Sequence, residues 1–470
     1  MFEISLKELA RVTGGEILPS SAAGDQMITG ISIDSRNIRP GNLFVAIPGE
    51  TFDGHRFAGE AVANGARTAV ITRDKREMAD REMLSRAAVV LVDDTRKALR
   101  DMAAWYREKF DIPTVAVTGT NGKTTTKDMT AAVLSSRYRV HKSPQSFNNL
   151  VGVPLTLFQL NSDSEALVLE LGMSSPNEIA VLTRTAKPDL GVITNIGPAH
   201  LESMGSLEKI ARAKFELPDN MPSPKTLILN ADDPILAERI GEKRKEERII
   251  SFGIERKSDF TADRIELNGE GHISFRVNRN LTIGLRLLGV HNVYNALAAF
   301  AVGSLKEVDH QEIKRSLEQY QPSHLRMELV RIGNVSVIND SYNANPISME
   351  RALDTLKRTP TSGRRLAFLG DMLELGEKAS DFHLEVGRKA ARSGVDMLVL
   401  VGELAPLIGQ GAREAGMSPD QIMTFEKNEQ VSLFLLEHLR DKDLLLVKGS
   451  RKMKTEEVVA SLTAQYARQN

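Results

Sequence analysis

The sequence predicts an α/β protein divided into three domains. Its length of 470 residues is about three times that of a typical domain. From about residue 112 to 320, apolar strand-like runs alternate with helix-like segments, a pattern typical of a mainly parallel sheet with crossover helices. The same alternation begins again at about residue 321. A second α/β unit is therefore expected in the last third of the chain.

The strands of both units are predicted from runs of β-branched and apolar residues. In the first unit they are expected at 113–118, 166–171, 190–195, 225–230 and 248–252, followed by antiparallel excursions over 258–290. In the second unit they are expected at 335–339, 366–370, 397–401 and 443–448. In such sheets, ligands bind beyond the carboxyl ends of the strands.

The first domain boundary is predicted where a helical pattern breaks. Short helical and strand patterns alternate up to about residue 110, and the last of these helices carries Trp105, the only tryptophan. Asp111 and Pro113 then interrupt the pattern. The expected domains are residues 1–110, 111–320 and 321–470.

The composition excludes several classes of protein. Hydrophobic residues at 41% and charged residues at 26% are typical of a soluble globular chain. A net charge of −1 argues against binding to nucleic acid or to an anionic membrane. The chain has no cysteine, no secretory signal pattern, and no apolar run near the roughly 20 residues that a membrane-spanning helix needs. We therefore expect a cytoplasmic protein without membrane insertion.

The stretch VAVTGTNGKTTTKD, residues 115–128, predicts a phosphate-binding loop between a strand and a helix. Its candidate ligand-binding residues are Gly119, Thr120, Asn121, Gly122, Lys123, Thr124 and Thr125. Backbone N–H groups and the positive end of the helix would hold polyphosphate. Lys123 would neutralise the β- and γ-phosphate oxygens, and the Thr124 hydroxyl would hold Mg²⁺. One departure stands out, because Val117 occupies a position where the general pattern has a glycine.

Polar residues follow other strands at the same predicted sheet edge. Glu170 ends one strand, and Asn195 and His200 follow the next. Asn230 and Asp232 follow a further strand. Single residues of this kind are usually structural, but a carboxylate and an imidazole can also ligate Mg²⁺ or Mn²⁺. Their place beside a phosphate loop favours the functional interpretation.

Several other polar groups leave two interpretations open. Asn292 and Asn295, in the first turn of a predicted helix, either cap that helix or bind the edge of an adenine. The triplet Asp34, Ser35 and Arg36 is either a capped turn or a group presented to a ligand. In the second unit, polar groups cluster near strand ends at 340–345, Asp371, Glu374 and 448–451.

Taken in chain order, these segments resemble the Mur ligases of peptidoglycan synthesis. The resemblance rests on TGTNGKTTTKD, ELGM, NIGPAHLE, ARAK, HNVYNALAA, HLRMEL, NDSYNANP, GDMLELG and KGSR. It extends to IDSRNIRPGNLFVAIPGE and SFNNLVGVPLTL, and so covers essentially the whole chain. The family has the short form of the phosphate loop, which accounts for Val117.

The resemblance implies a fold and a reaction. The expected domains are an N-terminal α/β domain that binds the UDP end of the substrate, a central phosphate-loop ATPase, and a C-terminal Rossmann-like domain. DSYNANPISM and LGDMLELG indicate the branch that joins D-alanyl-D-alanine to UDP-N-acetylmuramoyl-tripeptide. ATP would phosphorylate the terminal carboxylate of the tripeptide, and the dipeptide amine would attack the resulting acyl phosphate. A monomer is expected.

The resemblance also implies metal ligands and catalytic groups. Thr124 and Glu170 would hold one Mg²⁺ between the β- and γ-phosphates, and His200 would help to hold a second near the acceptor carboxylate. Mn²⁺ could replace either ion. Lys214 would be carbamoylated, which converts a cation into an anionic ligand of the second metal. Lys123, His200 and Lys214 are the expected catalytic residues.

The remaining implied contacts divide between the nucleotide and the two other substrates. Besides the phosphate loop, the expected nucleotide-binding residues are Asn292, Asn295, Arg326, Asp340, Tyr342 and Asn343. Asp34, Ser35, Arg36, Asn148 and Asn149 are expected on the UDP-sugar side. Lys448 and Arg451 are expected to hold the dipeptide carboxylate.

Two alternatives of different kinds remain at this point. One is a related ligase with the same chemistry, either a sister enzyme that adds the third stem residue or folylpolyglutamate synthetase. The DSYNANP and GDMLELG motifs argue against both. The other is a nucleotide-gated binding protein that only hydrolyses ATP. Glu170, His200 and Lys214 argue against it, because a simple switch needs no second metal.

Overall fold

The computed structural model describes residues 2–19, 26–49, 52–242 and 247–469. Three larger sheets, of five, nine and six strands, follow one another along the chain and are flanked by helices. Most of the strand pairs in these sheets are parallel, which confirms the predicted α/β class. Within the described ranges, no helix is both long and apolar enough to cross a membrane.

The first part of the chain builds a five-stranded sheet in the order β2-β7-β6-β5-β4, and a separate β1-β3 pair. The strands are β1 (Glu3–Ser5), β2 (Glu16–Leu18), β3 (Met27–Thr29), β4 (Ile31–Ser32), β5 (Leu43–Val45), β6 (Thr68–Thr72) and β7 (Ala88–Val92). The helices are α1 (Leu6–Thr13), α2 (Ala58–Ala63), α3 (Arg81–Arg86) and α4 (Thr95–Arg107).

The second part builds the nine-stranded sheet in the order β16-β15-β14-β13-β12-β11-β8-β10-β9. Its strands are β8 (Thr114–Thr118), β9 (Val140–Lys142), β10 (Ala166–Glu170), β11 (Leu190–Ile193), β12 (Lys225–Asn230), β13 (Glu247–Gly253), β14 (Phe260–Leu267), β15 (Ile273–Val277) and β16 (Leu281–Leu285). Its helices are α5 (Lys123–Leu134), α6 (Gly152–Leu157), α7 (Glu178–Ala186), α8 (Leu201–Met204), α9 (Leu207–Asn220), α10 (Pro234–Gly241), α11 (His291–Leu305) and α12 (His310–Gln319). The last three strands form antiparallel pairs, as the sequence predicted for 258–290.

The third part builds the six-stranded sheet in the order β17-β18-β22-β19-β20-β21. Its strands are β17 (Glu328–Ile332), β18 (Val335–Asn339), β19 (Arg365–Gly370), β20 (Met397–Val401), β21 (Ile422–Phe425) and β22 (Leu444–Lys448). Its helices are α13 (Pro346–Arg358), α14 (Ala379–Arg392), α15 (Ala405–Glu414), α16 (Asn428–His438) and α17 (Glu456–Gln469). Only β17 pairs antiparallel, at one edge.

The first and second sheets share one hydrophobic core. Phe2 makes edge-to-face contacts with Tyr106 and Phe158, at centroid distances of 5.1 and 4.8 Å. The Tyr106 hydroxyl donates to the Leu160 carbonyl at 2.7 Å. Burial of these rings and their pairing geometry both favour the contact. The N-terminal part is therefore packed firmly against the nucleotide-binding part.

Arg107, at the end of α4, ties this junction together. Its guanidinium is buried and donates to the Ala186 carbonyl at 3.1 Å and to the Thr114 hydroxyl at 2.6 Å. It also donates to the carbonyls of Phe110 and Ile112. One side chain thus satisfies four acceptors from two segments, the stretch 110–114 and the end of α7.

Replacing Arg107 with methionine should destabilise the protein by about 3 kcal/mol, because buried acceptors would lose their donor. Urea unfolding followed by circular dichroism measures this. Arg100→Met on the same helix is the matched control, since no side-chain hydrogen bond or ion pair of Arg100 is present in the part of the chain described. Equal unfolding midpoints for the two variants would contradict the role given to Arg107.

Candidate active site

A cleft of about 400 Å³ lies between the second and third sheets. Most of the residues that the sequence predicted as functional line it. They are Gly119 to Thr125, Asn148, Asn149, Glu170, His200, Lys214, Asn292, Asn295, Arg326, Asp340, Tyr342, Asn343, Lys448 and Arg451. Asp34, Ser35 and Arg36 are not among its lining residues. The fold therefore gathers residues that are more than 300 positions apart along the chain.

The phosphate loop has its shape because two positions require glycine. Gly119 has φ +137° and Gly122 has φ +81°, in the region that favours glycine. A Cβ atom on Gly119 would lie 2.1 Å from the Thr194 hydroxyl oxygen. A Cβ on Gly122 would lie 2.4 Å from the Asn295 side-chain oxygen. The loop is therefore tightly enclosed by β11 and α11.

The residues that follow β11 hold the loop by hydrogen bonds. The Asn195 carbonyl accepts from the Thr120 N–H at 2.9 Å, and its side-chain oxygen accepts from the Asn121 N–H at 3.0 Å. The Thr194 hydroxyl donates to the Asn121 carbonyl at 2.7 Å. No side chain caps the start of α5, so the N–H groups of its first turn remain available to an anion.

Lys123 begins α5, and its ammonium donates to the Thr120 carbonyl at 3.0 Å. Burial lowers the pKa of Lys123, while the nearby Glu170 carboxylate opposes this shift and Arg326 adds to it. An anionic ligand would interact strongly with a cation at this position, because little water screens the two charges.

Glu170 ends β10 and its carboxylate is held on both sides. One oxygen accepts from the Thr124 hydroxyl at 2.7 Å, and the other accepts from the Asn148 amide at 2.8 Å. Glu170 is only 1% exposed. Gly172 lets Asn148 approach, since a Cβ there would lie 2.7 Å from the Asn148 amide carbon. Hydrogen bonds therefore hold the side chains of Thr124, Glu170 and Asn148 in fixed positions relative to one another.

Asn292 and Asn295 use their amides within the protein. The Asn292 amide donates to the Leu288 carbonyl at 2.7 Å, and the Asn295 amide donates to the Asn292 side-chain oxygen at 2.9 Å. The Asn295 oxygen accepts from the Thr126 hydroxyl at 3.1 Å. Both residues are buried. They form the wall behind the phosphate loop, and this favours a shaping role over direct recognition of a base.

His200 lies across the cleft from the third sheet. Its Nδ1 is 2.6 Å from a carboxylate oxygen of Glu374, which belongs to the loop after β19. Burial lowers the pKa of His200, an effect that Glu374 opposes and that Lys123 and Lys214 reinforce. Sequence reasoning placed His200 at a metal but did not find its partner.

Lys214 projects from α9 and is 3% exposed. Burial holds its pKa well below the usual value, and the Lys123 cation adds to the shift, while Glu170, Glu216 and Glu178 oppose it. Within the described ranges, no hydrogen bond or ion pair engages its amine. Burial therefore favours the neutral form of the amine.

The third sheet contributes two paired groups to the cleft. The ammonium of Lys448 is 2% exposed and contacts the Asp340 carboxylate, and it also donates to the Asn343 carbonyl at 2.9 Å. The guanidinium of Arg326 stacks on the Tyr342 ring at 3.8 Å, with no hydrogen bond or ion pair from it among the described residues. Lys448 is thus already neutralised, whereas Arg326 is open to an anion.

Direct contacts close the two sides of the cleft over the phosphate loop. The Asn345 amide donates to the Asn121 side-chain oxygen at 2.8 Å. The Tyr342 hydroxyl bonds to the Ser146 hydroxyl, and the Ser323 hydroxyl donates to the Asp128 carboxylate at 3.0 Å. The described state is therefore one in which the two sheets are already in contact at the loop.

The triplet in the N-terminal part forms a capped turn. The Asp34 carboxylate accepts from the backbone N–H of Arg36 at 3.0 Å and pairs with its guanidinium at 2.8 Å. These bonds lower the pKa of Asp34 to about 2. Ser35 is buried, and the Arg36 side chain is 81% exposed. Arg36 is the member of the triplet that can meet a ligand.

Sequence reasoning missed several residues that line the cleft. His291 is desolvated, with a pKa lowered to about 3, and Arg351 has a pKa lowered by burial. His291 precedes Asn292 and could have been chosen from the HNVYN motif, whereas no local pattern marks Arg351. Ser146 and Lys452 also line the cleft and carried no signal of their own.

Models of known protein families match most of the chain. The Mur ligase family, catalytic domain matches residues 27–107. The Mur ligase middle domain matches residues 117–303, and the Mur ligase, glutamate ligase domain matches residues 325–451. The three matches follow one another in the order of the three sheets.

Individual relatives match over nearly their whole length. UDP-N-acetylmuramoyl-tripeptide--D-alanyl-D-alanine ligase of Bacillus subtilis is 34% identical over 98% of this chain and 99% of its own. The protein of that name from Escherichia coli is 33% identical over 98% and 99%. Sequence identity at this level over full length identifies a common family.

Solved structures give the same result. A MurF crystal structure from Acinetobacter baumannii matches with a TM-score of 0.88 at 30% identity, covering 99% of both chains. MurF ligase from Thermotoga maritima, solved in complex with ADP, matches with a TM-score of 0.81 at 27% identity, covering 94% of this chain and 98% of its own. Matched in sequence and in fold from end to end, the chain belongs to the Mur ligase family.

Proposed function

We propose that this chain joins D-alanyl-D-alanine to UDP-N-acetylmuramoyl-tripeptide at the expense of ATP. The product is the UDP-N-acetylmuramoyl-pentapeptide used in peptidoglycan synthesis, and the enzyme is a ligase that forms a carbon–nitrogen bond. The observation that carries this proposal is the full-length similarity to relatives that bear this name, at 34% identity for the Bacillus subtilis protein. The cleft supplies the chemical groups that such a reaction needs.

The reaction must first activate a carboxylate. A carboxylate is a poor electrophile, because oxide would have to leave from it. Transfer of the γ-phosphate of ATP to the tripeptide carboxylate gives an acyl phosphate, and the dipeptide amine then attacks its carbonyl carbon. The tetrahedral adduct loses phosphate together with the electron pair of the broken C–O bond, its nitrogen loses a proton, and a peptide bond remains.

We propose that ATP binds in the cleft with its phosphates on the loop from Gly119 to Thr125. Lys123 and the open N–H groups at the start of α5 would hold the β- and γ-phosphates. Arg326, stacked on Tyr342, would reach the same phosphates from the other side. Asp340 and Asn343 would act through Lys448, which they hold. The ADP complex of the Thermotoga maritima relative supports nucleotide binding by this fold.

The oxygen ligands at Thr124 and Glu170 suit a magnesium ion. A hydroxyl and a carboxylate 2.7 Å apart, both fixed by packing, are the hard donors that Mg²⁺ prefers, and Mn²⁺ accepts them too. A bound ion would neutralise charge between ATP and the acceptor carboxylate. The hydrogen bond from Asn148 would keep Glu170 in the same orientation with and without a bound ion.

A second Mg²⁺ is proposed at His200 and Lys214. Within the described ranges, no group of three histidine or acidic side chains is assembled for a metal. In its neutral form, the Lys214 amine can add carbon dioxide and lose a proton, and the resulting anionic carbamate would supply an oxygen ligand. Its lowered pKa fits this modification, as does the absence of a hydrogen bond or ion pair to its amine among the described residues.

We propose that residues 1–110 bind the UDP end, residues 111–320 bind ATP, and residues 321–470 receive the dipeptide. Arg36 would meet the diphosphate, with Asp34 and Ser35 holding its turn. Asn148 and Asn149 would meet the sugar-peptide part near the cleft. A cytoplasmic location is proposed, because a sequence without cysteine suits a reducing compartment. A monomer is also proposed.

Phosphate release with each substrate omitted in turn tests the reaction. With ATP and Mg²⁺, release should require both UDP-N-acetylmuramoyl-tripeptide and D-alanyl-D-alanine, and mass spectrometry should find the pentapeptide product. Release with a single amino acid in place of the dipeptide would identify a sister ligase. Release that depends on neither substrate would overturn the proposal.

Replacing Gly122 with alanine should weaken ADP binding at least ~10-fold, because a Cβ there would meet the fixed Asn295 side chain at an unfavourable φ. Calorimetric titration with ADP and Mg²⁺ measures this. Gly59→Ala is the matched control, since nothing lies within 4 Å of its Cβ position. Unchanged ADP affinity in a folded Gly122→Ala protein would place the nucleotide elsewhere.

Lys214 should carry a carbamate when carbon dioxide is present. Protein equilibrated with ¹³C-labelled bicarbonate should show a carbamate carbon signal by NMR, and Lys214→Met should lack it. Lys209→Met, on the same helix, is the control and should retain the signal. A wild-type protein without the signal, or a high-resolution map with a bare amine in the active state, would contradict the modification.

A further inference from the structure

Glu374 is a carboxylate that lines the cleft and has no assigned role in the proposed function. It lies on the loop after β19, and its side chain is 55% exposed. Its contact with His200 Nδ1 at 2.6 Å crosses from the third sheet to the second. No lysine or arginine forms an ion pair with Glu374 within the described ranges. A half-exposed anion in contact with His200 therefore lines the cleft.

The backbone around Glu374 is held in an uncommon conformation. Glu374 has φ +63°, and its partner His200 has φ +55°. Left-handed backbone at residues other than glycine costs on the order of 1 kcal/mol and clusters at functional sites. The Glu374 carbonyl accepts from the Glu202 N–H at 3.2 Å, and a Cβ on Gly376 would lie 3.3 Å from the Glu202 Cα. The loop is thus seated directly on α8.

A second loop, which follows β22, lies beside the first. β19 and β22 are neighbouring parallel strands, and the loops that follow them are joined by two hydrogen bonds. The Ser450 N–H donates to the Asp371 carbonyl at 3.0 Å, and the Leu373 N–H donates to the Ser450 hydroxyl at 2.8 Å. The two loops therefore form one rigid edge of the cleft.

The cations on this second loop differ in their availability. Lys448 contacts Asp340, and the Arg451 guanidinium pairs with Glu456. Lys452 lines the cleft, is exposed, and forms no hydrogen bond or ion pair in the part of the chain described. Lys452 is therefore better placed than Lys448 to bind a carboxylate that arrives from solvent.

We propose that Glu374 and Lys452 form the subsite for the incoming zwitterionic dipeptide, with Glu374 binding its ammonium group and Lys452 its carboxylate. The inference rests on the proposed function and specifies which groups hold its second substrate. One anion and one cation on joined loops match the two charged ends of a dipeptide. Glu374, next to His200, holds the amino group beside the tripeptide carbonyl, and the ammonium loses one proton to solvent before the neutral amine attacks.

Glu374→Gln should raise KM for D-alanyl-D-alanine by about 10- to 100-fold, because a charge-assisted hydrogen bond to the ammonium is lost. KM values for ATP and for UDP-N-acetylmuramoyl-tripeptide should change by less than about twofold. Glu377→Gln is the matched control, since it is exposed on the same loop and does not line the cleft. An unchanged dipeptide KM in Glu374→Gln would overturn the assignment of the ammonium.

Dipeptide analogues test each end separately. Propionyl-D-alanine lacks the amine, so wild-type enzyme should bind it more weakly than the dipeptide, and Glu374→Gln should lose this preference. D-alanyl-D-alaninamide lacks the carboxylate charge, so Lys452→Gln should lose the preference for the free acid. Lys454→Gln, outside the cleft lining, is the control for Lys452. Discrimination that persists in either variant would overturn the corresponding half of the subsite.

A partial reaction separates this inference from the proposed function. Acyl phosphate formed from ATP and UDP-N-acetylmuramoyl-tripeptide without dipeptide can be trapped with hydroxylamine. Glu374→Gln also removes the charge that contacts His200, so it should slow this step, but by a smaller factor than it raises KM for D-alanyl-D-alanine. A wild-type enzyme that forms none would refute the proposed function itself. A raised Mg²⁺ requirement in Glu374→Gln, with dipeptide KM unchanged, would make Glu374 a metal ligand instead.

Discussion

The close packing of Gly119 and Gly122 against β11 and α11 is the constraint on which the rest of the cleft depends. Because neither position leaves room for a Cβ, the loop is forced into one shape, with the first turn of α5 open to an anion. That shape also fixes where Thr124 meets Glu170. A charged transition state is stabilised most by groups that are already in place, and this loop supplies such groups.

The third sheet completes the site that the loop begins. Asn345 bonds to Asn121 on the phosphate loop, and Glu374 reaches His200. Hydrolysis competes with phosphate transfer to a carboxylate. A site that is completed only when two parts meet can exclude water before the transfer begins. The first sheet is different, because it shares an aromatic core with the second and is held by Arg107. The first and second sheets are thus joined by an apolar core, whereas the second and third are joined by polar contacts.

Local patterns predicted what depends on local structure. The β-branched runs gave the central strands β8 and β10–β13 and the later strands β18–β20 and β22 close to their observed bounds, and the glycine pattern gave the loop. The short edge strands β9 and β21 were not predicted, because three or four residues show too little periodicity.

Partners from distant segments were missed as well. Lys448 was assigned to a substrate carboxylate, but its burial against Asp340 is set by the pairing of β18 with β22, which no local pattern reveals. The sequence also left two roles open for Asn292 and Asn295, because it does not show that their amides donate within the protein.

The most direct test compares the kinetics of Lys123→Ala and Arg36→Ala. It asks whether the chemical step takes place in the cleft and whether the N-terminal part binds the UDP substrate. We predict that Lys123→Ala lowers kcat on the order of 10³-fold, because it removes a positioned charge from the phosphates. We predict that Arg36→Ala raises KM for the UDP substrate about 10-fold while kcat stays nearly constant. Equal losses of kcat in both variants would contradict this division of labour.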